Sequence, residues 1–225
     1  MQLDAAYSPH NLIERYAEMI VEKNRTINLT AIVDPSQVSL LHIEDSLVGL
    51  PEVNSAKDGP LVDLGTGGGF PGVPLSIMTE RPTLLVDSRS KKADAIRSII
   101  KQLEIPHTDV YAGRIEELSL DTSRKFAVAT ARALAPLPSL LELAAPLLEM
   151  GGVLVAYKAP CALGDEEEFS HAQVLSQKLG MFLKSWRRTL LSDGATEREI
   201  ICFEKKSEPR VSLPRRPGMA QKKPY

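Results

Sequence analysis

Apolar residues recur at Leu12, Ile13, Tyr16, Ala17, Ile20 and Val21, the spacing of one helical face, and predict an amphipathic helix over residues 9–24. Ser8 offers an N-cap and Pro9 suits the first helical position. A turn holding Asn28-Leu29-Thr30 follows, and Pro35 then opens a second predicted helix with Val38, Leu41, Ile43, Leu47, Val48 and Leu50 on its apolar side. His42, Glu44, Asp45 and Ser46 interrupt that side. Both helices precede the first strand, so residues 1–58 are expected to cap the fold rather than cross over a sheet.

From Leu61 the pattern changes to short apolar runs alternating with helical periods. Strands are predicted at Leu61–Leu64, Thr83–Asp87, Asp109–Gly113 (weakly), Phe126–Thr130, Val153–Lys158, Phe182–Leu191 and Glu199–Lys205. Ser90–Leu103 is a predicted helix with Ala93, Ile96, Ile99, Ile100 and Leu103 inward and Lys91, Lys92, Arg97 and Lys101 outward. A second, Pro136–Met150, carries a leucine stripe at 137, 140, 141, 143, 147 and 148 that reads as core, with Gly151-Gly152 as its cap. A third starts in the acidic run Asp165–Glu168, as the macrodipole favours, and ends at Leu179. Ser192–Thr196 has the composition of a hairpin loop, making the last two strands antiparallel. The expected class is α/β: a doubly wound, seven-stranded and mostly parallel sheet over residues 59–206, finished by a hairpin.

Composition narrows the class. A chain of 225 residues, 43% of them hydrophobic, can bury one substantial core. No apolar run approaches a membrane span, and no signal-peptide pattern opens the sequence, so a cytoplasmic location without membrane association is expected. Cys161 and Cys202 have no paired spacing and are expected to be buried, reduced thiols; no metal site is expected. The net charge of −2 hides an asymmetry. From Lys205 onward Lys205, Lys206, Arg210, Arg215, Arg216, Lys222 and Lys223 face Glu208 alone, giving +6, so the preceding part carries −8. Residues 207–225 therefore form a basic, irregular tail, open to two readings: phosphate contact with RNA, or a solvated end.

The chemistry concentrates in Leu61-Val62-Asp63-Leu64-Gly65-Thr66-Gly67-Gly68-Gly69-Phe70-Pro71-Gly72, which reads as strand, glycine loop and helix start. Without a Gly-Lys-Ser/Thr ending it is no P-loop. As a dinucleotide fingerprint it fails from Gly65, because Phe70 takes the third glycine position, while the register from Gly67 puts Pro71 inside the turn. Asp63, Gly65, Gly67 and Gly69 instead resemble the D-x-G-x-G-x-G motif of S-adenosylmethionine-dependent methyltransferases. Asp87 ends the second strand, 22 positions after Gly65, where an acid accepts from ribose hydroxyls; that fits either adenosine cofactor. Glu116 and Ile115 follow the third strand, where the adenine would sit.

Together these blocks resemble the RsmG (GidB) family of 16S rRNA guanine-N7 methyltransferases. Asn28-Leu29-Thr30, His42-Ile43-Glu44-Asp45-Ser46, Asp63 to Pro74, Asp87-Ser88, Arg114-Ile115-Glu116-Glu117, Arg132-Ala133 and Leu213-Pro214-Arg215-Arg216-Pro217-Gly218 carry the likeness. Lys158 matches the family's Lys-Gly, with Ala159 in place of the glycine. The resemblance implies a Rossmann-like class I methyltransferase fold and S-adenosylmethionine as cofactor. It implies 16S rRNA or the small ribosomal subunit as partner; a monomer is expected. It implies cofactor contacts at Gly65, Phe70, Ile115, Glu116 and Arg132, joined by Asp63, Gly67, Gly69, Asp87 and Ser88. Asn28, His42, Asp45, Arg132 and Lys158 are the candidate substrate contacts. Each keeps a structural alternative: a turn for Asn28, packing for His42 and Asp45, pairing with an acid for Arg132.

No proton-transfer residue is expected, since guanine N7 carries an unshared pair and no proton. Two other functions stay open on the residues alone: a cofactor-dependent RNA-binding module without transfer, and a small-molecule methyltransferase.

Overall fold

The computed structural model describes residues 8–160 and 166–225. Cys161 and Asp165, to which expectations attached, lie outside them. The chain opens with α1 (Pro9–Asn24), where the Ser8 side chain accepts from the Asn11 N–H as foreseen. The cap continues through α2 (Pro35–Val38), a π-helical turn (Ser39–Glu44), α3 (Asp45–Leu47) and α4 (Leu50–Asn54). The second predicted helix is thus real but broken. A π-turn inserts extra backbone into the helical ladder and is frequent at functional sites.

The alternating part runs β1 (Leu61–Leu64), α5 (Gly72–Thr79), β2 (Thr83–Asp87), α6 (Ser90–Gln102), β3 (Thr108–Ala112), α7 (Ile115–Leu118) and β4 (Phe126–Arg132). It continues with α8 (Leu137–Ala144), β5 (Leu148–Lys158), α9 (Glu166–Lys178), β6 (Met181–Leu190), β7 (Glu197–Lys205) and α10 (Met219–Lys222). The sheet order is β3-β2-β1-β4-β5-β7-β6, with β1 to β5 parallel and β6 and β7 antiparallel to their neighbours. The order reverses between β1 and β4, so the crevice at their carboxyl ends is where a ligand is expected in an open α/β sheet.

One predicted boundary is corrected. The helix expected to reach Met150 stops at Ala144, and Leu148-Glu149-Met150 already belong to β5. Pro146 has no N–H to continue the helical ladder. Gly151-Gly152 is no helix cap: Gly151 has φ +77, and the β4–β5 register shifts between Phe126 and Val128, so the strand bends there. The leucine stripe is buried all the same, shared between a helix and a strand.

The helices cover both sheet faces. Tyr16, Ala17 and Ile20 of α1 pack with Phe70, Val73, Leu85 and the inward face of α6 on one side. Leu137, Leu140, Leu141 and Ala144 of α8 pack with Ala172, Leu175 and Leu179 on the other. Arg81 ties the cap to the sheet by donating to the carbonyls of Val53, Ala56, Lys57 and Gly59. The tail has little regular structure, as expected, yet it is docked: Ala220 is buried in the α8 core, with Val211 and Leu213 against it. Cys202 is buried and free, its thiol pushed up to about 11 chiefly by burial.

Candidate active site

The glycine loop is held from three sides. From below, the fully buried Asp63 accepts from the Gly72 N–H at 3.1 Å and from the Thr130 hydroxyl at 2.7 Å, pinning the start of α5 and the neighbouring strand β4. Burial pushes its carboxyl up to about 6 against those hydrogen bonds. From the β2 side, Asp87 accepts from the Gly67 N–H at 3.1 Å and from the Arg89 N–H at 2.8 Å. From the cap, the Tyr16 hydroxyl donates to the Gly68 carbonyl at 3.0 Å. Gly69 (φ +87) leaves no room for a side chain, since a Cβ there would lie 1.9 Å from that hydroxyl.

Over the loop opens a cavity of about 380 Å³, and it gathers most of the expected cofactor residues. Gly65, Gly67, Asp87, Ser88, Ile115 and Glu116 line it. Arg89, Lys92 and Arg114 add cations, while Val86, Leu134 and Leu143 add apolar surface. Gly65 (φ +69) brings the backbone against Leu134, where a Cβ would sit 2.5 Å from Cδ1. Gln221, from the far end of the chain, also lines the cavity.

Asp63, Gly69, Phe70 and Arg132 are not among the lining residues. Asp63 and Gly69 shape the loop from behind. Phe70 and Arg132 belong to a second cluster with the cap. The His42 ring stacks on Phe70 with centroids 4.4 Å apart and planes 5° apart, and Tyr16 meets Phe70 edge-on at 5.6 Å. His42 Nε2 is 2.8 Å from the Thr30 hydroxyl, while Nδ1, though buried, has no partner among the described residues. Burial, aided by the nearby Arg132 charge, brings its pKa down to about 4, so the ring is neutral at physiological pH. Asp45 does not pair with His42 but sits between two arginines, 2.9 Å from Arg132 and 2.8 Å from Arg198. Arg132 also donates to the Leu41 carbonyl at 3.0 Å and lies 6.0 Å from the Phe70 ring centroid. The acid pairing weighed for Arg132 is therefore present. The two clusters meet at the end of β4, where Arg132 is followed by the cavity residues Ala133 and Leu134.

The remaining candidates stand apart. Asn28 is exposed on the connection after α1. Lys158, at the end of β5, pairs with Glu168 at 2.8 Å, and that carboxylate also accepts from the Leu137 N–H. Sequence reasoning missed Tyr16 as a loop clamp, Arg198 as a partner of Asp45, and Gln221. Tyr16 read as one more apolar position on α1, and the others carry no local signal.

The cavity residues fit an adenosine-bearing cofactor. Each Asp87 oxygen is engaged once by backbone and keeps a lone pair for a hydroxyl. Ile115, Leu134 and Leu143 offer apolar surface for a flat ring, and the cations suit a carboxylate. Among the described residues no group of three His, Cys, Asp or Glu side chains could hold a metal ion, and no helix is long and apolar enough to cross a membrane.

Solved structures share the fold. An O-methyltransferase from Bacillus cereus, solved in complex with SAH, superposes with a TM-score of 0.58 at 18% identity, covering 84% of this chain and 90% of that one. A ribosomal protein L11 methylase from Lactobacillus delbrueckii gives 0.54 at 16% identity, over 72% of this chain and 77% of that one. Sequence relatives are nearer. The ribosomal RNA small subunit methyltransferase G of Desulfitobacterium hafniense is 38% identical over 212 residues, 93% of this chain and 86% of the relative. Its namesake in Carboxydothermus hydrogenoformans is 34% identical over 216 residues, 95% and 90% respectively. The family model described as rRNA small subunit methyltransferase G matches residues 9–192, and the chain belongs to that family.

Proposed function

We propose that this protein transfers a methyl group from S-adenosylmethionine to N7 of a guanine in 16S rRNA, acting on the small ribosomal subunit or its RNA. The observation that carries the reading is the 380 Å³ cavity where Gly65, Gly67, Asp87, Ser88, Ile115 and Glu116 converge from three strand ends. Asp87 and Ser88 would hold the ribose, Ile115 and Leu134 would flank the base, and the Ile115–Glu116 backbone would meet its edge. Gly65 and Gly67 let the main chain approach the amino-acid part, with Asp63 and Gly69 fixing the loop behind them. Phe70 and Arg132, at the junction with the second cluster, belong to the reacting end. When bound, S-adenosylmethionine supplies a methyl group on a positively charged sulfur.

The side chains of this chain then have to position and shield rather than move protons. N7 has a lone pair and no hydrogen, so alignment and exclusion of water supply the rate. His42 is neutral and Asp45 offsets one of the two arginine charges it pairs with, so the cluster of His42, Asp45, Arg132 and Arg198 carries a net charge of +1 rather than +2 beside a base that becomes cationic. His42 and Asp45 are the substrate-side residues in this reading, through the stack on Phe70 and the hold on Arg132. Asn28 and Lys158 lie further out, and the exposed tail cations Lys206, Arg210, Arg216, Lys222 and Lys223 suit phosphate contact.

The test is competition binding on the full chain. S-adenosylmethionine and its demethylated product are expected to bind, NAD(P) not, and Gly67→Asp is expected to abolish binding while the circular dichroism spectrum is kept. Preferential binding of NAD(P) would overturn the reading.

A further inference from the structure

The basic tail is built into the wall of the cavity. Arg215 Nε and Nη2 each lie 2.6 Å from an oxygen of Glu142, whose side chain is only 2% exposed and also accepts from the Tyr225 N–H. The Arg215 guanidinium lies 4.1 Å from the centroid of the Tyr225 ring, closing the tail on itself. From this anchor the backbone turns through Gly218 (φ +82), whose N–H donates to Glu116 Oε1 at 2.6 Å. Helix α10 starts there, buries Ala220 and presents Gln221 to the cavity beside Glu116 and Leu143. One carboxylate, Glu116, thus belongs to the cavity wall and also tethers the tail. Gln221 is exposed, and among the described residues its amide has no hydrogen-bond partner.

We propose that Leu213–Tyr225 completes the adenine end of the cofactor cavity and that the Gln221 amide hydrogen-bonds the base. The proposal rests on reading the cavity as the S-adenosylmethionine site. The chemistry matches: adenine presents an amino donor at N6 beside an acceptor at N1, and a carboxamide offers the complementary acceptor and donor. Gln221 would then be a specificity residue for the cofactor, drawn from a segment that composition alone leaves between RNA contact and a solvated end.

Calorimetric titration of the full-length protein tests this with two ligands, S-adenosylhomocysteine and its analogue lacking the 6-amino group. Gln221→Ala is expected to weaken S-adenosylhomocysteine about three- to tenfold, the range of one neutral hydrogen bond. It is expected to weaken the deaminated analogue much less, so the preference between the ligands shrinks. Gln173→Ala, the same change on the exposed side of α9 and outside the cavity lining, is expected to leave both affinities unchanged. Equal affinities in wild type and Gln221→Ala, or equal weakening of both ligands, would overturn the role of Gln221 with the cofactor reading intact. A wild-type protein that binds neither ligand would overturn the cofactor reading and this inference with it.

Discussion

Arg132 and Asp45 meet at 2.9 Å although 87 positions separate them in the chain. The pair joins the last residue of β4 to the first residue of α3, so the helical cap and the sheet are locked at the edge of the site by a nearly buried charge contact. Asp45 also holds Arg198 of β7. Breaking a buried pair leaves the surviving charges desolvated, which costs about 3–5 kcal/mol. Asp45→Asn is therefore expected to lower the chemical-denaturation stability by that order and to suppress methyl transfer. Arg124→Gln breaks an exposed pair with Asp121 and is expected to stay within about 0.5 kcal/mol of wild type. Equal stabilities of the two variants would contradict the assignment.

His42 gives the site a pH signature. Its folded pKa is brought down to about 4 from an ordinary 6.5, so between those values the unfolded chain holds the extra proton. Stability from this residue is present above 6.5 and lost as pH falls through 4. Asp63 acts in the opposite sense: pushed up to about 6 from 3.8, its contribution is present below 3.8 and lost as pH rises through 6. Wild type measured against His42→Gln by urea midpoints isolates the first slope. The advantage of wild type is expected to grow by about 3 kcal/mol from pH 4 to 6.5. A difference that is flat over that range, or the His42 resonance itself, identified by its loss in His42→Gln, titrating near 6.5, would contradict the burial of His42.

Gly65→Ala tests the loop itself. At φ +69 a side chain costs about 1–2 kcal/mol, and the new methyl would push Leu134 into the cavity. The variant is expected to fold, with a melting temperature lowered by a few degrees, and to lose S-adenosylhomocysteine binding at least tenfold in calorimetry. Retained affinity would show that the cavity beside Leu134 is not the cofactor site.

In the tail, Arg215 and Arg216 are neighbours with different work. Arg215 is mostly buried on Glu142, and Arg216 is exposed. Arg215→Met is expected to lower the thermal midpoint clearly, and Arg216→Met to leave it within about 1 °C while reducing rRNA affinity and its salt dependence. The reverse order would contradict the docked tail.

Much of this was legible in the residues because it is local. Buried parallel strands read as apolar runs, and the glycine loop lies next to β1, so the succession of strands along the chain and half the cavity followed from short stretches. Leu147 and Leu148 show the limit. They continue the helical spacing begun at Leu137, yet they lead into and open β5, and only Pro146 between the two regimes signalled the break. Contacts over long separations left no pattern: Arg198 reaches Asp45 across 153 positions, and Gly218 reaches Glu116 across 102. Charge misled as well as informed, since Arg215 counts toward a basic tail but is neutralised by Glu142.

The central claim, a methyl group placed on guanine N7 of small-subunit RNA, is tested most directly by chemical mapping. Small subunits from cells lacking this protein would be incubated with the full chain and S-adenosylmethionine, then treated with borohydride and aniline, which cleave RNA at 7-methylguanine. A new strand break at a guanine of 16S rRNA, absent with Gly65→Ala, is the predicted result. Methyl incorporation into that RNA without a new break would contradict it.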